Sequence, residues 1–459
     1  MKKTLDMTTG SPAKLLIRFA FPIWVGYLFQ QIYTLADRVI VGQYIGADAF
    51  SAVDSTNAIS SMFMSMCMGT SIGAGVVVSQ FYGAGDEKNT AKAISNGVYI
   101  NIGIALIMTV IALFTIHPIL SMLNTPASLM NDAISYITIY MGGLVAVSAY
   151  YVPFSILQAL GDSKTPLIFL VLCSILNIVL DLIFVIPLGM RVKGAAIATV
   201  LAQIVAAICC IVYAFRKIPI IRASIKYKKA DKGLILKTIK ISVPTGLQYS
   251  LMYLSSIVLQ RIVNGFGSNV IGSFTATTQM EILVEQLYLA LGAAIVTYTG
   301  QNIGAGNTKR IKQGLKSALF ISTIVSILLA LVFWVGGKQI MSIFVSDREI
   351  ISTSATGIRI TATFFTALGV VQILRYLLNG AGDSGFTLIN GIIEIIFRIT
   401  LAFLLTSIPI IGMWGIWLTT GFTWVITALS ALWRYKSDKW LTKSLIQKNS
   451  NNQEVHHGK

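Results

Sequence analysis

The sequence predicts an all-α polytopic membrane protein with twelve transmembrane helices in two six-helix lobes, and three observations support that fold class. Of its 459 residues, 55% are hydrophobic and 12% are charged, whereas soluble globular domains carry about 25% charged residues. Apolar runs of about 20 residues, each long enough to cross a bilayer core of about 30 Å, recur along the chain. The second half of the chain repeats the pattern of the first half.

The apolar runs predict helices because a membrane helix satisfies its own backbone hydrogen bonds in lipid. They are too continuous for the alternating strands of a membrane β-barrel. The predicted spans are residues 15–40, 51–80, 94–118, 132–160, 165–188, 194–215, 238–264, 271–300, 316–341, 356–380, 385–406 and 411–434.

Basic residues are concentrated in alternate connections between these spans. The N-terminal segment, the even-numbered loops and the C-terminal segment, counted with the adjoining helix ends, hold 26 of the 35 Lys and Arg residues. Cytoplasmic loops are the basic ones, so we expect both termini to be cytoplasmic. The basic loop between the sixth and seventh spans then contacts anionic lipid headgroups, which accounts for the net charge of +17 without nucleic acid.

The repeat divides the chain into two lobes at a shift near 221 residues. "LQALGDSKTPLI" from Leu157 is similar to "LNGAGDSGFTLI" from Leu378. We expect an N-terminal lobe at 1–228, whose basic connecting loop begins near residue 216, and a C-terminal lobe at 229–440. Residues 441–459 are expected to form a polar, disordered cytoplasmic tail. Because each lobe has an even number of spans, both lobes run in the same direction about an axis along the membrane normal, an arrangement typical of transporters.

Charged and amide side chains inside the spans are the candidate functional residues. Asp37 lies 22 residues beyond Leu15, about 33 Å along a helix, so it is expected in the outer half of the membrane. A charged side chain there costs roughly 2.5–3.5 kcal/mol or more and usually marks an ion or proton path. Its neighbour Arg38 points about 100° away around the helix and is a poor partner. Because Arg261 occupies the equivalent place in the second half, we assign both arginines a structural task.

The fifth and sixth spans add oxygen and amide groups on single helix faces. Asn177 and Asp181 are four residues apart on the fifth span, and Thr199 and Gln203 have the same spacing on the sixth. Their oxygen atoms suit a hard cation such as Na⁺. The alternative interpretation of Asn177 and Thr199 is ordinary hydrogen bonding between helices.

Taken together, these features resemble MATE (multidrug and toxic compound extrusion) transporters of the bacterial type. The resemblance covers the chain to about residue 436 and rests on the paired "GAG" and "GD" loops and on Pro22, 15 residues before Asp37. It implies a cation site formed by Asp37, Asn177, Asp181 and Thr199, which would take H⁺ or Na⁺. The resemblance also implies a location in a bacterial plasma (inner) membrane. We expect cation binding to bend the first helix around Pro22, since proline is a recognised kink site; the alternative is a bend that is architectural in both lobes, because Pro244 occupies the equivalent place.

The second lobe contains the remaining candidate residues. "NGIIEIIFR" is similar to the fifth-span motif, with Asn390 and Glu394 in corresponding places, and Arg398 follows Glu394 by four residues as an in-helix ion pair. Glu281 and Glu285 share a helix face, where they either attract a cationic substrate or pair with Arg261, Arg359 or Arg375. The residues assigned to a substrate cavity are Gln203, Gln260, Glu281, Glu285 and Glu394, and the membrane arginines with unassigned tasks are Arg359, Arg375 and Arg398.

The expected function is cation-coupled export of organic, cationic and amphipathic compounds by alternating access between the lobes, by a monomer without an organic cofactor. A flippase for a lipid-like substrate is the alternative, and it would need arginines in the cavity. An enzyme is not expected, because "GTSIG" at 69–73 matches the nucleophile pattern only inside an apolar helix. The chain has no phosphate-binding loop, so ATP is not expected to drive transport.

Overall fold

The computed structural model describes residues 4–122, 125–227 and 229–446, and they form a bundle of α-helices. The helices are α1 Pro12–Tyr44, α2 Ala47–Gly83, α3 Glu87–Met122, α4 Ala127–Gly142, α5 Leu144–Ala159, α6 Lys164–Val185, α7 Arg191–Lys217, α8 Pro219–Ser224, α9 Lys232–Val263, α10 Ser268–Gly304, α11 Thr308–Met341, α12 Arg348–Thr363, α13 Phe365–Gly380, α14 Ser384–Ser407 and α15 Gly415–Lys436. Short 3₁₀ segments occupy Ile225–Tyr227, Asn264–Phe266, Gly412–Trp414 and Lys439–Lys443.

The structure confirms a polytopic membrane protein. In the described part of the chain, nine helices are long and apolar enough to cross a bilayer, and the bent pairs α4–α5 and α12–α13 bring the number to eleven. Helix α9 is the twelfth span. Its 32 residues exceed the length that a bilayer requires, but its polar side chains lower its mean hydropathy. Many helices are longer than predicted because they continue past the apolar run into the connecting regions.

Two spans predicted as single helices, 132–160 and 356–380, are each broken in the middle. Helices α4 and α5 meet at Gly143 with an angle of 44°, and α12 and α13 meet at Phe364 with an angle of 51°. Gly143 and Phe364 occupy equivalent positions of the repeat although their side chains differ completely. The break is therefore imposed by packing against neighbouring helices rather than by the residue at the bend.

The repeat is reproduced in the helix boundaries. A shift of 221 residues carries Ala47 to Ser268 and Gly83 to Gly304, the two ends of α2 and α10. The same shift carries α5 onto α13. Lobe 1 comprises α1 to α8 and lobe 2 comprises α9 to α15, and a pseudo-twofold axis along the membrane normal relates them.

The lobes meet along α2 and α9, where small residues let the backbones approach closely. A β-carbon added to Gly69 would lie 2.7 Å from the Cα of Gly246, and one added to Gly73 would collide with the Cα of Ser242. Small residues allow this kind of close helix contact in membranes. The "GTSIG" segment is therefore part of a helix–helix interface.

Both ends of the described chain lie at one end of the bundle, which we call the terminal face; it carries Pro12, Gly83, Gly304 and Lys436. The expectation of a disordered tail is wrong for residues 441–446, because Trp440 is fully buried and Leu441 and Leu445 pack on the core. Residues 447–459 lie outside the described residues.

Candidate functional site

Helices α1 and α6 bring Asp37 and Asp181 together, although 144 positions separate them in the sequence. Their carboxyl groups lie side by side. Asp181 is fully buried. Within the described residues, neither oxygen of Asp181 nor Oδ1 of Asp37 has a hydrogen-bond donor. Asp37 is half-buried. Adjacent carboxylates in such surroundings repel each other, and a proton or another cation between them would relieve that repulsion.

Asn177 and Thr199 extend this cluster on the lobe-1 side. Asn177 Nδ2 donates to Thr199 Oγ1 at 3.2 Å, and Thr199 donates onward to the Ala195 carbonyl at 3.1 Å. The hydrogen bond between helices that the alternative interpretation requires is therefore present. It holds the amide in one orientation and leaves Asn177 Oδ1, which is buried, without a donor. That oxygen remains available as a cation ligand.

Arg38 does not neutralise Asp37. Its guanidinium lies 3.3 Å from Asp54 Oδ1 on α2, in a pair whose side chains are 29% and 52% exposed. This agrees with a structural task for Arg38, and in the described part of the chain neither Asp37 nor Asp181 makes an ion pair with a basic side chain. Helix α1 continues without interruption through Pro22, from Pro12 to Tyr44.

Tyrosines surround the acid pair, and the sequence interpretation missed them. The phenol of Tyr136 lies near both carboxyl groups, and Tyr33 and Tyr140 lie near Asp37. The rings of Tyr136 and Tyr140 stack with centroids 6.1 Å apart. Phenol groups can donate hydrogen bonds to a carboxylate while adding no charge. The i, i+4 spacing of these two tyrosines was the available signal.

A cavity of about 170 Å³ lies between the lobes and is lined by residues of both. Its polar lining is neutral: within the described chain no Asp, Glu, Lys or Arg lines it. The tyrosines of the lining are Tyr27, Tyr33, Tyr150, Tyr151, Tyr253 and Tyr376, and the glutamines are Gln30, Gln31, Gln158, Gln203 and Gln286. Such a surface offers aromatic faces and amide dipoles to a ligand.

Three polar atoms of the cavity lining are buried without partners in the described structure: the Tyr150 hydroxyl, Gln158 Nε2 and Gln203 Oε1. Gln203 also connects the cavity to the acid cluster, since it follows Thr199 by one turn of α7, about 6 Å along the helix axis. Of the five predicted cavity residues, only Gln203 lines this cavity. Gln30 and Gln31, which also line the cavity, were missed; two adjacent glutamines inside an apolar helix were the available sequence signal for them.

Three charged side chains of lobe 2 form one buried network. Glu394 is 4% exposed and accepts from Arg375 at 2.7 Å and from Arg398 at 2.8 Å. Arg375 also donates to Asn390 Oδ1 at 2.5 Å. The predicted in-helix pair is thus present. Glu394 is committed to two guanidinium groups and does not belong to the cavity lining, contrary to the sequence-based assignment.

The other lobe-2 candidates also lie outside the cavity lining. Glu285 accepts from Gln372 Nε2 at 2.9 Å. Glu281 lies beside Thr361 and near Arg398. Gln260 donates to Asn264 at 3.0 Å. Of the other membrane arginines, Arg359 is tied to the Trp334 carbonyl at 3.1 Å.

The register assumed for the second lobe is also wrong. The 221-residue shift that relates the two "GD" loops carries Asn177 to Arg398 and Asp181 to Ala402, so Asn390 and Glu394 are not their counterparts. Thr199 does have a counterpart, Thr420. Lobe 2 therefore holds a fixed guanidinium where lobe 1 holds an amide with a free oxygen. Asn390 precedes the position equivalent to Asn177 by about two helical turns.

Comparisons with known proteins agree with this fold. The chain is 27% identical over 445 residues to the "Probable multidrug resistance protein YpnP" of Bacillus subtilis (strain 168), covering 97% of this chain and 99% of that one. It is 22% identical to the "Multidrug export protein MepA" of Staphylococcus saprophyticus, covering 92% and 93%. A crystal structure of a MATE in complex with MaL6 superposes with a TM-score of 0.89 at 20% identity, covering 97% and 100%.

The family profile called MatE matches twice, at residues 22–183 and 244–404. One match falls in each lobe, so the repeat found in the sequence and in the helix boundaries is the repeat of this family. The matches cover well over half of the chain. The chain therefore belongs to the MatE family.

Proposed function

We propose that the protein is a secondary antiporter that exports organic, cationic and amphipathic compounds in exchange for H⁺ or Na⁺. The observation that carries the proposal is the adjacent pair of Asp37, which is half-buried, and Asp181, which is fully buried; within the described residues neither makes an ion pair with a basic side chain. A cation that binds there relieves the repulsion between the carboxylates, and its release restores that repulsion. The electrostatic energy of the pair therefore depends on whether a cation is bound, and a cation gradient can use this difference to drive a change of conformation. Asn177 Oδ1 and Thr199 Oγ1 would complete an oxygen site for Na⁺.

The neutral aromatic cavity supports an organic cation as substrate. Tyrosine faces attract cations and stack on planar rings, and the amides of Gln30, Gln158 and Gln203 supply hydrogen bonds without fixing a charge. MepA and YpnP are named for multidrug export and multidrug resistance, which is consistent with such a surface. An anionic headgroup would need basic groups in the cavity, so the lining does not favour the flippase.

Alternating access would use the pseudo-twofold axis. Cation binding at the acid pair and substrate binding in the cavity would compete through lobe 1, with α1 bending near Pro22 as the pair is neutralised. The domain division at 1–228 and 229–440, a monomeric state, cytoplasmic termini and residence in a bacterial plasma membrane form part of the same proposal. Exposed lysines at the terminal face would contact anionic lipid headgroups.

The test is dye efflux from proteoliposomes under an imposed pH gradient and, separately, an imposed Na⁺ gradient. Wild type should export a cationic dye under at least one gradient, and Asp37→Asn should abolish that dependence. Asp48→Asn, which makes the same change at an exposed site near the start of α2, is the matched control and should behave as wild type. Equal efflux by Asp37→Asn and wild type at equal protein content would refute the proposal.

A further inference from the structure

Two buried glutamines at the terminal face are related by the pseudo-twofold axis. Gln80 on α2 and Gln301 on α10 are separated by the 221-residue shift, and both are almost fully buried. A β-carbon on Gly83 would collide with the backbone of Gln301, and one on Gly304 with the backbone of Gln80. Both glutamines therefore lie where the lobes touch backbone to backbone.

Each glutamine donates to the other lobe at the same place. Gln80 Nε2 donates to the Gly380 carbonyl at 3.0 Å, and Gln301 Nε2 donates to the Ala159 carbonyl at 2.9 Å. Ala159 and Gly380 are the last residues of α5 and α13, and the 221-residue shift relates them as well. Each bond satisfies a carbonyl that the end of a helix leaves without an intrahelical partner.

Each glutamine also accepts from one terminal segment of the chain. Met7 N donates to Gln301 Oε1 at 3.1 Å, and Leu445 N donates to Gln80 Oε1 at 3.0 Å. The side-chain amide of each glutamine therefore connects its own lobe both to the opposite lobe and to one terminal segment of the described chain. The two terminal segments are unrelated in sequence, yet they use equivalent sites.

Further contacts seat the terminal segments in equivalent grooves. Leu5 N donates to the Gly161 carbonyl at 2.9 Å. A β-carbon added to Gly382 would lie only 2.9 Å from the Lys443 carbonyl oxygen. Gly161 and Gly382 are again related by the 221-residue shift, and both have a positive φ, +91° and +90°. The fully buried side chain of Met7 fills the N-terminal groove.

From this geometry we propose that residues 5–10 and 439–446 form a pair of latches that hold the terminal face shut through Gln301 and Gln80. Opening of that face separates α2 from α10. Both glutamines must then release the carbonyl of the opposite lobe, and each terminal segment must detach from one lobe. The latches thus bias the protein toward the state in which the terminal face is closed.

The test measures distances between spin labels in a background without native cysteines. Labels at Lys88 and Lys309, exposed and related by the 221-residue shift, report the terminal face. Labels at Asp48 and Asn269, equally related and exposed, report the opposite face. Opening of the terminal face should lengthen the first distance and shorten the second.

The variants Gln80→Met and Gln301→Met keep side-chain length but remove both hydrogen-bonding groups. Each should raise the population with an open terminal face roughly two- to tenfold, because opening must break one hydrogen bond of each glutamine, the one to the carbonyl of the opposite lobe, and the double variant should show the product. Gln313→Met, at an exposed glutamine of the same face, is the matched control and should change nothing. Unchanged distances in the double variant, or an equal change in Gln313→Met, would overturn the proposal.

Amide exchange in the wild type gives an independent test that does not depend on the folding of a variant. Under conditions that open the terminal face, the amides of Met7 and Leu445 should lose protection together and in proportion to the open population. Protection that persists while the Lys88 to Lys309 distance lengthens would also overturn the latches. The inference rests on the proposed alternating access. Wild type that never opens this face in any gradient would count against that function, whereas opening without any effect of the glutamines would count against the latches alone.

Discussion

Replacement of Asp181 by asparagine removes one of the two charges of the acid pair and keeps the shape of the side chain. A cation about 4 Å from a carboxylate gains roughly 4 kcal/mol at an effective dielectric constant of about 20. Asp181 and Asp37 each supply such a term, and Asp181 is fully buried. Loss of one term should weaken cation affinity by about a thousandfold, since each 1.4 kcal/mol is about tenfold.

Cation binding to detergent-solubilised protein measures this effect directly, without transport. Calorimetric titration with Na⁺ at constant pH gives the Na⁺ affinity, and proton uptake in weakly buffered solution follows H⁺. Asp54→Asn is the matched control, because Asp54 is 52% exposed and makes only a surface pair with Arg38. Such pairs contribute about 0–1 kcal/mol, so the control should stay within about fivefold of wild type.

Binding of the coupling cation by Asp181→Asn as tight as that by wild type would contradict a cation site at the acid pair. Asp54→Asn that loses as much affinity as Asp181→Asn would also contradict it, because the effect would then reflect net charge rather than the pair of carboxylates.

Three further predictions concern stability. Glu394→Gln should lower the free energy of unfolding by about 3–5 kcal/mol, because it leaves two buried guanidinium groups without their carboxylate; denaturant titration of tryptophan fluorescence measures this. Gly69→Ala should cost about 1–3 kcal/mol through overpacking between α2 and α9, measured in the same way, while Gly103→Ala, with open space around its β-carbon, is the control. The hydrogen bond from Leu234 N holds the pKa of the Asp231 carboxyl below its usual value. The cap on α9 should therefore persist above about pH 4 and weaken as pH falls through that lower pKa, seen as lost exchange protection at Leu234, and Asp231→Asn should remove the pH dependence.

Each of these three predictions would be contradicted by one specific result. A Glu394→Gln protein as stable as wild type would mean that the two arginines have other partners. Equal stabilities of Gly69→Ala and Gly103→Ala would mean that the helices separate without cost. Acid-sensitive protection that survives in Asp231→Asn would assign the effect to another group.

The membrane helices could be predicted because their signal is local. An apolar run of sufficient length specifies a helix in lipid, and a charge inside such a run stands out, which is how Asp37 and Asp181 were found. The bends at Gly143 and Phe364 could not be predicted in this way. Neither position has a proline, and the bend depends on neighbours that come from distant parts of the chain.

The lining of the cavity was harder to predict than the acid pair, for a related reason. Tyrosine and glutamine occur on many helix faces, so their presence does not indicate which face meets the space between the lobes. Gln80 and Gln301 illustrate this limit. Only the three-dimensional arrangement shows that each of them bridges the lobes and holds one end of the chain.

Arg398 occupies in lobe 2 the position that Asn177 occupies in lobe 1, and this has an electrical consequence. A guanidinium is covalently attached and stays with its lobe, so it carries no charge between the two sides of the membrane. If the acid pair is the coupling site as proposed, only two charges cross the membrane in each cycle: the coupling cation bound at lobe 1 and the substrate. One cation that crosses 100 mV yields about 2.3 kcal/mol, and a monovalent cationic substrate that leaves in exchange returns the same amount. Export of such a substrate against one coupling cation is then electrically silent, and its limiting concentration ratio follows the chemical gradient of the ion.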